Sequence, residues 1–187
     1  DYVNPAKVLD DFLEIYPETK TFATMYNTNE QNSLVQIEAL EKALEDRGLS
    51  LKKQGVSSIN DIPQALASLK SGTDAMVIVT DNVVVNAMPV IAKTLKEEKI
   101  PSLVFDEGSV KNGALIAEGV NYKKSGIRAA EMAGEILKAN KEIKEIPFED
   151  AKDLEILVNK ETAEILDLDL SKEGLKKATI IENKEGK

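Results

Sequence analysis

The sequence predicts an α/β fold in which a doubly wound parallel sheet carries helices on both faces. Two continuous apolar runs, "AMVIVT" at 75–80 and "PSLVF" at 101–105, are typical of strands that are covered on both sides. Segments with apolar residues at helical spacing lie between the strands. Because strands and helices alternate with connectors of only a few residues, we expect parallel strands joined by right-handed crossovers.

The remaining elements follow from periodicity and from breaker residues. Helices are predicted at residues 5–15, 34–46, 60–72, 86–98 and 125–139, with one or two short helices after residue 160. Strands are predicted at residues 21–27, 49–56, 75–80, 101–105, 114–120 and 154–158.

Particular residues support several of these helices. Ser33 and Gln36 have the spacing of a capping box, which predicts a helix beginning near residue 34. Pro63 suits the first turn of the third helix. Pro89 falls inside the fourth helical pattern, so that helix is expected either to begin late, near Asn86, or to be kinked.

The composition excludes several classes of function. The 187 residues carry a net charge of −9, which argues against binding to nucleic acid or to an anionic membrane surface. There is no Cys and no His, so disulfides, thiolate metal sites and the commonest general base are all missing. We therefore expect a binding protein and not an enzyme; a carboxylate-based isomerase is the enzyme class that the composition leaves open.

Four polar loops follow the predicted strands, at 26–33, 55–61, 80–82 and 106–110. Ligands of open parallel sheets bind outside the carboxyl ends of the strands, which is where these loops lie. None of the loops has the glycine pattern of a phosphate-binding motif, so no nucleotide cofactor is expected.

Each loop has a purely structural interpretation beside the functional one. Asn32 and Ser33 are preferred helix caps, but with the free N–H groups at that helix start they could also hold a ligand carboxylate. Asp81 and Asn82 either form a turn or face a ligand at the strand end. Asp106 is either an ordinary loop acid or the partner of a ligand ammonium group.

A metal site is a further interpretation of the acids Asp81, Asp106 and Glu107, since carboxylates are the oxygen ligands of Mg²⁺. Receiver-type phosphotransfer domains also need an acidic pair after the first strand, and "MYNTN" supplies none. No metal is therefore expected. The sequence leaves open whether Tyr26 and Tyr122 lie at the edge of the core or form a stacking surface.

The segments "AMVIVTDNVVVNAM" and "IPSLVFDEGSVKNGALIAEGVNYKKSGIRAAEMAGEILK" resemble the substrate-binding proteins of ABC transporters, of the tryptophan- and tyrosine-binding type. The resemblance extends over nearly the whole chain, with Pro89 departing from the usual helix pattern. It implies a type I periplasmic-binding-protein architecture, in which two Rossmann-like α/β lobes are joined by crossing strands. This chain would then be the second lobe with its crossovers.

The resemblance also implies a division of the chain. Residues 1–19 would be a crossover segment and helix from the first lobe, and 20–120 the second lobe. Residues 121–145 would form a helix that packs on the missing first lobe, with an apolar face otherwise available for self-association. Residues 146–187 would return a strand and the C-terminal helices to the second lobe.

The resemblance implies a ligand site in the cleft between the lobes, with Asp106 pairing with the ligand's amino group. The expected ligand-binding residues are Asn27, Glu30, Asn32, Ser33, Thr80, Asp81, Asn82 and Asp106. The implied ligand is a small zwitterion, an amino acid with an aromatic side chain. No catalytic residue and no cofactor is implied.

The implied function is that of the solute-binding component of an ABC importer, which passes its ligand to permease subunits. The start of the sequence has neither Met nor a signal peptide, so we expect a processed or trimmed piece of a longer chain. The implied location is extracytoplasmic, with a lipoprotein anchor in the precursor. The alternative is the ligand-sensing lobe of a transcription regulator, which shares this architecture.

Overall fold

A computed structural model describes residues 3–139, 142–147, 149 and 154–182, which form one sheet flanked by helices. The sheet has seven strands in the order β2-β1-β3-β4-β5-β6-β7. The strands are β1 (Thr21–Asn27), β2 (Ser50–Val56), β3 (Ala75–Ile78), β4 (Ser102–Val104), β5 (Ile116–Val120), β6 (Leu154–Asn159) and β7 (Thr179–Ile181). The predicted α/β class with a largely parallel sheet is confirmed.

Eight α-helices connect the strands within the described residues. They are α1 (Pro5–Ile15), α2 (Gln31–Glu45), α3 (Ile62–Leu69), α4 (Asn82–Asn86), α5 (Met88–Glu97), α6 (Glu107–Lys111), α7 (Tyr122–Ala139) and α8 (Lys160–Ile165). Short 3₁₀ turns lie at Ile59–Asp61, Ile143–Glu145 and Glu173–Leu175.

The two faces of the sheet bury separate cores. Phe22 of β1 packs on one face with Phe12 of α1 and Leu40 of α2. Met25 of the same strand packs on the other face, among side chains that include Met88 of α5. Because neighbouring residues of a strand point to opposite faces, the two cores together bury the middle of β1 from Phe22 to Met25.

The structure corrects three predictions about the elements. The predicted capping box is wrong: α2 begins at Gln31, and the Ser33 hydroxyl donates to Asp81 across the sheet edge instead. The segment 106–110, expected to be a loop, contains α6. The sheet is not parallel throughout, because β6 runs antiparallel to β5.

Other boundaries follow the expectations closely. The helix around Pro89 is divided at Ala87 into α4 and α5, and Pro89 lies in the first turn of α5. This is the outcome expected of a residue that has no N–H to donate in a helix interior. The strand β7 was missed, since its three residues give no periodicity that could be distinguished from the polar segments beside them.

The helix α7 leaves the body of the lobe after β5, with several of its apolar side chains in solvent. Ile127 is 53% exposed and Leu137 is 80% exposed. Arg128 on this helix forms an ion pair with Glu149 at 2.6 Å. The predicted domain ranges also include residues 1–2, 140–141, 148, 150–153 and 183–187, which lie outside the described residues.

Candidate functional site

The topology brings three of the four predicted loops together. β1, β3 and β4 are neighbours in the sheet and run parallel, so their carboxyl ends open onto the same edge. The loops that follow them therefore meet at the position where open α/β sheets bind ligands. The fourth loop follows the edge strand β2, where the Asp61 carboxylate accepts hydrogen bonds from the backbone N–H groups of Ser57 and Ser58.

Asp81 is the structural centre of this edge and is fully buried. One carboxylate oxygen accepts hydrogen bonds from the backbone N–H of Asn27 and the hydroxyl of Ser33, both at 2.6 Å. The other accepts from the backbone N–H of Val84 at 3.0 Å and so caps α4. Asp81 thus joins the end of β1, the first turn of α2 and the start of α4.

A second set of polar side chains ties the first loop to the third. Glu30 accepts hydrogen bonds from the side-chain amide of Asn82 at 2.9 Å and from its backbone N–H at 3.1 Å. Asn32 donates to Glu30 at 3.0 Å and to the carbonyl oxygen of Thr80 at 3.0 Å. The Asn27 side chain accepts from the backbone N–H of Asn29 at 3.0 Å, which closes the turn after β1.

Asp106 takes the same place after β4 that Asp81 takes near the end of β3, but in a different environment. Its carboxylate accepts from the backbone N–H of Ser109 at 2.8 Å and from the Ser109 hydroxyl at 2.6 Å, so it caps α6. The residue is half-buried. The adjacent Glu107 is paired with Lys111 one turn later on the helix, at 2.5 Å.

The segments after β3 and β4, together with the start of α7, line a cleft of about 360 Å³. Four of the predicted site residues line it, namely Thr80, Asp81, Asn82 and Asp106. The other four, Asn27, Glu30, Asn32 and Ser33, support the loops by the hydrogen bonds described above. The structure therefore divides the predicted set into residues that line the cleft and residues that hold the lining in place.

The structure adds lining residues that are not among the eight predicted ligand-binding residues. Val85 and Lys111 reach the cleft from α4 and α6, and Tyr122 reaches it from the first position of α7. The spacing from Asn82 to Val85 is that of one helical turn, so a helix predicted directly after "TDN" would have placed Val85 on the same side. Tyr26, by contrast, packs against the core, which answers for this residue the question that the sequence left open.

Carboxylates predominate among the charged groups of the cleft. Asp106 and Glu107 lie on its wall with a single cation, Lys111, which is paired with Glu107. Asp106 also raises the pKa of the Tyr122 phenol, although burial is the larger cause of that shift. Such a cleft favours a positively charged group on its ligand.

An ion pair between an exposed lysine and a buried glutamate joins α1 to the neighbouring strand. The Nζ of Lys7 on α1 is 2.6 Å from the carboxylate of Glu118 on β5 and 2.7 Å from that of Asp11. The Glu118 side chain is 3% exposed. Burial raises the pKa of Glu118 to about 7, although the bond from Lys7 acts in the opposite direction.

Two kinds of feature are absent from the described residues. No group of three or more carboxylates in this part of the chain is arranged to hold a metal ion. Within the same residues, no helix has both the length and the apolar character that crossing a bilayer requires.

Comparison with known proteins identifies relatives over nearly the whole chain. A tyrosine-binding protein of Clostridioides difficile is 34% identical over 168 residues, which cover 90% of this chain and 48% of the relative. The chain thus spans about half the length of that curated relative.

Solved structures of other proteins have the same fold as this chain. The ligand-free, open form of a substrate binding protein with adhesive properties from Clostridium difficile is 32% identical and gives a TM-score of 0.85. That match covers 98% of this chain and 61% of the other. A Streptococcus pneumonia ABC domain in complex with L-Trp, 22% identical, has the same fold with a TM-score of 0.83 over 97% of this chain and 63% of its own.

A sequence model of one family matches residues 3–181, which is nearly all of the chain. Because this match and the relative at 34% identity agree, the chain belongs to the family of ABC transporter substrate binding proteins.

Proposed function

We propose that this chain is one lobe of the solute-binding component of an ABC importer, and that the cleft at its strand ends binds a zwitterionic amino acid with an aromatic side chain. The family is one of solute-binding proteins and not of enzymes. The observation that carries the proposal is the half-buried Asp106 carboxylate on the wall of the cleft. The tyrosine-binding relative supports the ligand class.

Asp106 has the role of neutralising the ligand's α-ammonium group. Its two oxygens each accept one hydrogen bond from Ser109, and a carboxylate oxygen has a further lone pair for a ligand donor. Charge-assisted bonds of this kind are the strong ones in a cleft from which water is excluded. Glu107, already paired with Lys111, is left at the rim.

The other predicted site residues divide into two roles. Thr80 and Asn82 line the cleft and supply polar contacts to the ligand. Asn27, Glu30, Asn32, Ser33 and the buried Asp81 position those contacts and do not touch the ligand. This division follows from the contacts, because the hydrogen bonds of Asp81 are directed to protein donors and the other four residues do not line the cleft.

The domain organisation belongs to the same proposal. Residues 20–120 with the returning strand β6 form one lobe, and the segments around residues 1–19 and 121–145 connect it to the other. Closure of the second lobe over the cleft would bury the ligand. The exposed apolar side chains of α7 would then pack on that lobe, and in its absence they offer a face for self-association.

The partners and location follow from the family. Substrate-binding proteins of ABC transporters generally act outside the cytoplasm, and we place this protein there, anchored as a lipoprotein and delivering its ligand to permease subunits. The alternative, a sensing lobe of a transcription regulator, shares the architecture, but the family match favours the transport protein.

Titration calorimetry of the complete protein with L-tyrosine tests the proposal. We expect binding, and we expect Asp106→Asn to weaken it by roughly 10- to 100-fold, because a hydrogen bond to a charged group contributes about 1.5–3 kcal/mol. Glu107→Gln, which changes the neighbouring acid in the same way, is the matched control and should bind within about threefold of the wild type.

A ligand analogue separates the ammonium role from a general loss of the site. 3-(4-Hydroxyphenyl)propionate lacks the amino group and is an anion, so Asp106→Asn should not weaken its binding relative to the wild type. Equal affinity of both proteins for L-tyrosine would exclude the ammonium role, and the absence of any amino-acid binding by the wild type would exclude the proposed function.

A further inference from the structure

The cleft contains few side chains that could distinguish one amino acid from another. The zwitterionic group is common to all amino acids, so Asp106 and Asn82 cannot recognise the ligand's side chain. Only two of the lining residues offer apolar surface of any size, Val85 and Tyr122. Selection by this lobe must therefore depend on one or both of them.

Tyr122 is the larger of the two and the only aromatic residue among those that line the cleft. The residue is 53% exposed, so a wide part of its surface remains available to a ligand. Asp106 and Tyr122 line the same cleft, so one small ligand can contact both.

The backbone at Tyr122 belongs to a capped helix start. Asn121 accepts a hydrogen bond from the backbone N–H of Lys124 at 2.8 Å, which fixes the start of α7. This start follows β5 directly, and β5 lies beside β4, the strand that leads to Asp106. Asp106 and Tyr122 thus come from the carboxyl ends of adjacent parallel strands.

We propose that Tyr122 is the residue of this lobe that selects an aromatic side chain on the ligand, by stacking against it while Asp106 holds the ammonium group. This inference rests on the proposed function. Paired aromatic rings attract each other beyond the burial of their area, whereas an aliphatic residue such as Val85 contacts any apolar side chain without distinguishing its shape.

The test compares the affinities of the complete protein for L-phenylalanine and L-leucine. Tyr122→Leu removes the ring and keeps an apolar side chain, and Tyr122→Phe keeps the ring and serves as the matched control. We expect Tyr122→Leu to lower the preference for L-phenylalanine over L-leucine by about three- to tenfold. Tyr122→Phe should keep the preference of the wild type.

The ratio of affinities is the informative quantity, because a variant that merely loosens α7 weakens both ligands alike. An unchanged ratio in Tyr122→Leu overturns the inference, whether or not both affinities fall. If both fall equally, the ring contacts the ammonium group that the two ligands share, or it serves only in packing. Binding of both amino acids without any preference in the wild type would overturn the inference alone. Failure of the wild type to bind either one would overturn the proposed function and this inference with it.

Discussion

Replacing Asp81 by alanine tests how much of the site's architecture depends on one buried carboxylate. The substitution removes the acceptor of three donors, namely the backbone N–H groups of Asn27 and Val84 and the hydroxyl of Ser33. Two strand ends and two helix starts are joined through these bonds. We therefore expect a large loss of stability from a residue for which the sequence left a turn and a ligand contact both open.

The magnitude can be worked from the number and burial of these bonds. Each buried donor that is left without an acceptor costs about 1–3 kcal/mol, and loss of a helix cap costs about 1 kcal/mol. The Ser33 hydroxyl lies 3.5 Å from the carbonyl oxygen of Thr80 and can turn toward it, which reduces its share. The expected total for Asp81→Ala is about 3–5 kcal/mol, a large part of the stability of an ordinary domain.

Urea denaturation of the wild type and the variants measures the effect as a shift of the unfolding midpoint. Asp81→Asn keeps an acceptor for up to two of the three donors and should cost about 1–2 kcal/mol. The matched control is Asp106→Ala, which removes the equivalent cap after β4. The Asp106 carboxylate is half-buried and, among the described residues, accepts its hydrogen bonds from Ser109, so the expected cost is about 1 kcal/mol.

For ligand binding the order should be reversed, so that Asp106 contributes more than Asp81. The Asp81→Asn variant, in conditions where it is folded, should bind L-tyrosine within about threefold of the wild type, since Asp81 acts by holding the loops. If Asp81→Ala were no more destabilising than Asp106→Ala, the argument from burial would be refuted. If Asp81→Asn abolished binding while the protein stayed fully folded, Asp81 would be a ligand contact after all.

Two further predictions concern β5. The folded state raises the pKa of Glu118 above its unfolded value, so its contribution to stability is fully present below about pH 4.5 and is lost as the pH rises through about 7. The free energy of unfolding should fall over this range by up to about 3 kcal/mol relative to Glu118→Gln, and parallel pH profiles would contradict this. Gly119→Ala would place a Cβ 2.4 Å from the carbonyl oxygen of Phe105, so we expect a loss of about 1–3 kcal/mol in urea denaturation. Gly126→Ala on α7 meets no atom within 4 Å and should instead stabilise by about 0.5–1 kcal/mol; equal effects of the two substitutions would refute the contact at Gly119.

The sequence predicted those elements whose signals are local. The strands at 75–80 and 101–105 were found because a continuous apolar run needs cover on both faces, and the division of a helix near Pro89 was found because proline lacks an N–H group. The short helix α6 was missed, since five residues are too few for the 3.6-residue period to become visible. The antiparallel direction of β6 could not be read from its composition, because pairing direction depends on the path of the chain before it.

At the candidate site, too, the sequence predicted the features that depend on neighbouring residues and not those that depend on contacts between distant segments. The sequence by itself determined that polar residues follow the strands and that these loops lie at one edge of the sheet, because parallel topology fixes where strand ends meet. Only the tertiary structure distinguished Asp81 from Asp106, two aspartates that both follow an apolar strand and both cap a short helix. Asp81 is surrounded by donors from β1 and α2, segments about 50 residues away in sequence, and burial among them assigns it to the framework. Asp106 lacks such neighbours in the part of the chain that the structure describes and is left on the wall of the cleft, because burial and hydrogen bonding depend on contacts that are distant in sequence.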